Sequence, residues 1–283
     1  MNEQQEVLSP CASAPSERYS IVDAEAQRRY IETRRAATWV GFFLPHLRPG
    51  MRVLDCGCGV GSITLDLAEL VAPGQVIGID LDPTQLDIAR AMAAQRGLAN
   101  VQFIVASVYD LPFAEGSFDA VLAHTLLMHL RDPLQILRTL RRMVKAGGVI
   151  GVSDDDLSTV VVSPPSALAD LLVAIWPRVV EANGGSPFYS RHLRQLLLEA
   201  GFVRTEGHAV AADYHGALDA TRRFARVWEQ LLAHTSWTAL ITGQGWASQE
   251  ELDELIAWFR AWGERPDAFM AWMYCAAVGW AGD

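Results

Sequence analysis

Between residues 51 and 153 short apolar runs alternate with helix-like stretches, and this alternation constrains the fold more than any other feature of the chain. The runs at 51–55, 76–80, 101–105, 118–123 and 149–153 are rich in Val, Ile and Leu. The stretches at 62–71, 83–96 and 133–145 predict helices, closed by Pro73-Gly74, Gly97 and Gly147-Gly148, because Pro and Gly interrupt helical hydrogen bonding. Short strands that are apolar on both faces, separated by helices, predict a parallel sheet covered on both sides. Further helices are expected at 20–44, 166–182, 190–200, 217–235 and 248–263, with an extended segment at 202–212. The apolar run 268–280 fits strand and helix equally by period. The chain therefore divides into a flexible tail at 1–18, an α/β core with an N-terminal helix at 19–155, and an elaborated region at 156–283.

Composition narrows the function. Acidic residues outnumber basic ones 33 to 23 in the 283 residues, for a net charge of −10, and the only lysine is Lys145. No basic run exceeds two residues, so neither nucleic acid nor an anionic membrane surface is an expected partner. The four cysteines, Cys11, Cys56, Cys58 and Cys275, have no framework spacing and fit a reducing compartment. The N-terminus lacks the basic and apolar regions of a signal peptide. A cytoplasmic protein is expected, with a homo-oligomer left open.

The chemistry-bearing segment is Val53-Leu54-Asp55-Cys56-Gly57-Cys58-Gly59-Val60-Gly61. Glycines after a first strand let backbone approach a ligand closely. Their spacing here is G-x-G-x-G, not the G-x-G-x-x-G of dinucleotide sites. Asp55 sits where it would repel a pyrophosphate but favour a cationic ligand carrying ammonium and sulfonium groups. Asp80 ends the second strand and is placed to accept hydrogen bonds from two ribose hydroxyls. A nicotinamide-dependent oxidoreductase is the competing reading. It is weakened by the absence of any tyrosine followed four residues on by lysine.

The segments VLDCGCGVG, VIGIDLDP, ASVYDLPFAEGSFDAV, AHTLLMHLRDP and RRMVKAGG occur in order. Together they resemble the class I S-adenosylmethionine-dependent methyltransferases, in particular the UbiE-like small-molecule branch, over about residues 35–155. The resemblance implies an α/β, Rossmann-like, doubly wound seven-stranded sheet with the last strand antiparallel. It also implies S-adenosyl-L-methionine as cofactor and S-adenosyl-L-homocysteine as product. Asp55, Gly57, Cys58, Gly59 and Gly61 would hold the methionine part, Asp80 with Leu81 the ribose, and Ser107 with Val108 the adenine. Many relatives carry an acid where this chain has Ser107, which accepts only a neutral hydrogen bond.

The acceptor should lie at the carboxyl ends of the fourth and fifth strands. His124 and Asp156 are the candidate catalytic residues, and His124 also borders the cofactor. The triplet Asp154-Asp155-Asp156 reads as a solvated loop. Tyr19 is a candidate lid over cofactor and acceptor, and Trp176, Tyr189 and Tyr214 are candidate acceptor contacts. Most of the eight tryptophans after residue 170 should be packing. His124 and His129 are five residues apart, a spacing that does not place two ligands on one helix face, and no metal is expected. The expected function is methyl transfer to N, O or C of a small, apolar or aromatic metabolite, in natural-product biosynthesis. A non-catalytic, regulatory S-adenosylmethionine-binding protein is the alternative.

Overall fold

The structure is a computed structural model that describes residues 31–213 and 218–283, excluding the side chains of residues 212 and 213. Seven strands form one sheet: β1 (Arg52–Cys56), β2 (Gln75–Asp80), β3 (Val101–Val105), β4 (Phe118–His124), β5 (Val144–Ser163), β6 (Arg204–Asp213) and β7 (Phe269–Trp280). Their spatial order is β3-β2-β1-β4-β5-β7-β6. Pairing is parallel from β3 through β5, and β7 runs antiparallel to both β5 and β6. The order reverses between β1 and β4, which opens a crevice at their carboxyl ends.

The helices are α1 (Ala36–Trp39), α2 (Ser62–Val71), α3 (Pro83–Gln95), α4 (Pro133–Met143), α5 (Ala167–Ala182), α6 (Leu193–Glu199), α7 (Leu218–Ala233), α8 (Thr235–Gly243) and α9 (Gln249–Gly263). Their starts follow from capping. Asp82 accepts from the Thr84 amide and Asp132 from the Gln135 amide, and each precedes a proline at the first helical position. Ser248 and Glu251 form a reciprocal capping box at α9. Strand alternation splits the core in two. Leu54, Val121 and Ile150 face α4, whereas Val53, Leu122 and Val149 face α1 and α2.

Four expectations need correction. The helix expected at 20–44 does not run through its described part. Arg35 is extended (φ −124°, ψ 140°), α1 has four residues, and the Asp66 carboxylate accepts from the Ala36 amide at 2.9 Å. The fifth strand is 20 residues long, not five, and crosses the division expected at residue 155. Asp154, Asp155 and Asp156 are consequently not a solvated loop: they lie inside β5, paired to β7, and are 0%, 5% and 3% exposed. The helix expected at 217–235 ends at Ala233, because His234 turns extended and caps a separate helix, α8. The run at 268–280 resolves to strand β7, since its apolar residues are needed between β5 and β6.

After β5 the chain builds a helical cap. Within it Trp228 stacks on Phe259 at 5.6 Å, and Trp262, Trp237 and Phe224 pack around them. Among the described residues no helix is long and apolar enough to cross a membrane.

Candidate active site

The crevice begins at the glycine loop. Gly57, Gly59 and Gly61 all have positive φ, at 71°, 52° and 77°, a region that only glycine enters freely. Space is equally restrictive at Gly61, where a Cβ would lie 2.8 Å from the Ala89 Cβ and 3.0 Å from Phe103. The amides of Gly57 and Cys58 both bond to the Ile79 carbonyl, at 2.8 and 2.9 Å, which ties the loop to β2. The Cys58 thiol is tucked beneath the loop against Gly78, and burial raises its pKa. It is a packing group there. Among the described residues no cluster of His, Cys, Asp and Glu could hold a metal ion.

Two carboxylates flank this loop. Asp55 is buried at the end of β1 and accepts from the Thr64 hydroxyl at 2.7 Å. Burial raises its pKa to about 6, offset by the Thr64 hydrogen bond and reinforced by Asp80. A cationic ligand group nearby would reverse that shift. Asp80 is half-buried. Its two oxygens accept from the amides of Gly59, at 2.9 Å, and Asp82, at 3.0 Å, so the carboxylate is oriented while lone pairs stay available. Its pKa is raised, again chiefly by burial. Leu81 follows it, 69% exposed. After β3 the Ser107 hydroxyl accepts from the Tyr109 amide at 3.2 Å, and Val108 is buried in the core, so at this position only backbone and the serine edge remain for an adenine.

This arrangement fits an adenosyl ligand with an amino-acid tail. It combines a backbone loop whose glycines permit close approach, an oriented carboxylate for hydroxyls, and a second carboxylate for positive charge.

On the acceptor side, β4 ends at His124. Its ring is 8% exposed, and neither nitrogen has a hydrogen-bond partner among the described residues. It lies between Trp39, at 6.0 Å, and Tyr274, stacked at 5.6 Å. Burial, aided by the charge of Arg34, holds its pKa well below the usual histidine value. The next residue, Thr125, has φ 55°, an outlier for a β-branched residue. Its amide continues the ladder to the Ser153 carbonyl at 2.8 Å. Leu126 then reaches the loop, with its Cδ1 3.0 Å from where a Gly57 Cβ would be. His129 closes a 3-10 turn, Leu127–His129, where burial lowers its pKa to about 4.

The three acids of β5 alternate across the sheet, as a strand requires. Asp155 shares the face of His124. It accepts from the Trp272 indole at 2.9 Å and from the Tyr274 hydroxyl, and it senses the charge of Arg34. Asp154 and Asp156 face the other way. Asp154 accepts from the Tyr189 hydroxyl, with the amides of Leu127 and Met128 also turned to it. Burial outweighs those hydrogen bonds and raises its pKa to about 8. Asp156 forms a two-point pair with Arg191, at 2.8 and 2.7 Å, and also accepts from Ser158. Its pKa is lowered by those contacts despite burial.

The candidate residues therefore separate. Asp55, the glycine loop and Asp80 come together at the carboxyl ends of the paired β1 and β2, and His124 ends the neighbouring β4. Asp156 is spent on Arg191, and Tyr189 on Asp154. Trp176 packs edge-on against Trp228 at 4.8 Å and Trp272 at 5.4 Å, inside the cap. Tyr19 and Tyr214 lie outside the described residues. Sequence reasoning missed Arg34, Trp39 and Tyr274, which reach His124 from the segment before α1, from α1 and from β7 respectively. No local motif marks them.

Comparison with known proteins identifies the family. A family model described as a methyltransferase domain matches residues 47–183. An uncharacterized methyltransferase of Schizosaccharomyces pombe is 32% identical over 210 residues, covering 72% of this chain and 75% of that one. The probable methyltransferase ltbC of Aspergillus luteorubrus is 28% identical, covering 93% and 95%. Among solved structures, the 4+2 cyclase SpnF superposes with a TM-score of 0.51 at 25% identity, covering 90% of this chain and 80% of that one. With its sheet order, its glycine loop and a curated relative matched over three quarters of its length, this chain belongs to the class I methyltransferases.

Proposed function

We propose that the protein transfers a methyl group to a small, apolar or aromatic metabolite in the biosynthesis of a secondary metabolite. The methyl donor is S-adenosylmethionine. The observation that carries this reading is the pairing of the Gly57–Gly61 loop with Asp80, whose carboxylate is fixed by the Gly59 amide at 2.9 Å. Loop and ribose-binding acid thus form one unit.

When bound, the donor supplies an electrophilic methyl carbon on sulfur. The chain's part is to hold both reactants in line and exclude water, and positioning alone can lower such a barrier by several kcal/mol, roughly 7–11 at the limit. Asp55 favours the positive charge of the donor. Trp39, His124 and Tyr274 form an aromatic cluster at the end of β4, with Trp39 tilted against His124 and edge-on to Tyr274, and ring partners of this kind suit an aromatic acceptor. Similarity to a cyclase, an enzyme that forms rings in organic molecules, supports a small acceptor over a macromolecule. The net charge of −10 opposes nucleic acid. Tyr19 is assigned to a lid and Tyr214 to an acceptor contact. Asp156 is read as a positioning residue that ties β5 to Arg191.

Incubation with methyl-labelled S-adenosylmethionine and fractionated metabolite extracts tests the reading. Label should appear in an organic-soluble small molecule. Saturable donor binding with no labelled product in any fraction would favour the regulatory alternative.

A further inference from the structure

We propose that the β6 edge of the sheet is a self-association surface, where a second copy of this chain adds its own β6 antiparallel and joins the two seven-stranded sheets into one. The inference lies beyond the methyltransferase reading and does not depend on it.

The first observation is the contrast between the two sheet edges. β3 forms one edge and has five residues, and a short edge strand offers little backbone to pair with. β6 forms the other and has ten. It pairs with β7 from Arg204–Trp280 to Asp213–Ala271 without a register shift, so its outer N–H and C=O groups form one uninterrupted row. Every residue from Glu206 to Ala211 is exposed. Long edges are ordinarily guarded by charged side chains, proline or a bulge. The run Gly207-His208-Ala209-Val210-Ala211 has no Lys, Arg, Asp, Glu or Pro, and no bulge.

The second observation is apolar surface on both sides of that edge. On the face covered by α6, Arg194 reaches the Thr205 hydroxyl at 3.4 Å and lies against Gly207. Leu198 is one turn further along the same side of that helix and is 51% exposed, and Val203, just before the strand, is 68% exposed. On the opposite face, where His208 meets Phe42 at 5.7 Å, Val210 is 37% exposed. Apolar side chains that flank an open backbone edge favour a partner strand over water.

Charge selects the occupant and the register. A two-fold axis normal to the sheet keeps each face continuous, so residues that lie opposite each other belong to the same face. The axis must then fall on a residue. Centred on Gly207, Glu206 of one copy lies opposite His208 of the other, twice over, and an imidazole N–H can donate to a carboxylate. Val203 then lies opposite Ala211, and Thr205 opposite Ala209. Centring on Glu206 would oppose two carboxylates, and centring on His208 two imidazoles. Opposite charges across strands stabilise, and like charges destabilise. Arg204 is already stacked over Trp280 at 3.8 Å. An edge that complements itself in one register fits a copy of itself.

The test is sedimentation velocity of the full chain over a series of micromolar concentrations. Wild type should sediment as a dimer and no larger, because pairing consumes the one long edge of each copy. His208→Glu brings four carboxylates together and should raise the dimer dissociation constant at least about tenfold. Exchanging the pair, Glu206→His with His208→Glu, restores the complement in this register and should return the constant to within about threefold of wild type. Both positions are exposed, and unchanged far-UV circular dichroism in the three proteins controls for folding. A monomeric wild type, which leaves the edge to another occupant, overturns the proposal. So does a dimer indifferent to His208→Glu, which places the interface elsewhere, or a double variant no tighter than the single. Affinity for S-adenosylhomocysteine, set by the glycine loop and Asp80, should be equal in all three proteins. Its absence in wild type would remove the methyltransferase reading and leave this one standing.

Discussion

The acids at the ends of β1 and β2 and those within β5 look alike in sequence and do opposite work. Asp55 and Asp80 are held by few groups, a threonine hydroxyl and two loop amides. They keep capacity for a ligand. Asp154, Asp155 and Asp156 are held by tyrosine, tryptophan and arginine side chains from distant elements. They join the sheet to its cap. The difference lies in the partners: backbone amides and one hydroxyl beside the glycine loop, and long side chains from distant elements within β5, where only the second Asp154 oxygen lacks a hydrogen-bond partner among the described residues.

Substitutions should break this comparison in opposite directions. The largest expected effect is Gly61→Ala, which meets Ala89 and Phe103 and must adopt φ 77°. It should cost about 3 kcal/mol of stability in denaturant titrations and also weaken S-adenosylhomocysteine binding. Tyr189→Phe removes the donor to buried Asp154 and should cost about 2 kcal/mol. Affinity for S-adenosylhomocysteine should stay within about twofold, and a larger loss would place Tyr189 at the ligand after all.

Asp154 also predicts a pH dependence. Its folded pKa, about 8, lies above the ordinary 3.8. The folded chain thus keeps a proton that the unfolded chain releases. The stability this gives is complete at pH values below the ordinary pKa and is lost as pH rises towards 8. Asp55, raised to about 6, acts in the same direction over a narrower range. Asp154→Asn should therefore gain on wild type by about 1–3 kcal/mol between mildly acidic and mildly alkaline pH. Parallel stability curves would show that Asp154 does not hold that proton. The smallest effect is expected for Arg191→Ala. Its side chain is 46% exposed, so the pair with Asp156 is screened by solvent, and denaturant titration should show a smaller loss than for Tyr189→Phe.

The two regions also differ in how far the sequence reveals them. The glycine loop and Asp80 were legible because they act through local backbone and lie 21 residues apart at most in their key contact. The alternation of strands and helices was legible for the same reason, since each element carries its own period. The β5 acids were not. Their partners lie 35 and 117 residues away, and a triplet of acids reads as solvated until those partners are known. Arg34, Trp39 and Tyr274 converge on His124 from elements distant in sequence, so their meeting exists only in the folded sheet. The length of β5 was hidden because its acidic middle masks the strand pattern that pairing to β7 restores.

Calorimetric titration of S-adenosylhomocysteine into wild type and Asp80→Ala tests the central claim most directly. Saturable binding at one site per chain is predicted for wild type, weakened at least about tenfold, or about 1.4 kcal/mol, in the variant. No binding by wild type, or equal affinity in the two proteins, would contradict it.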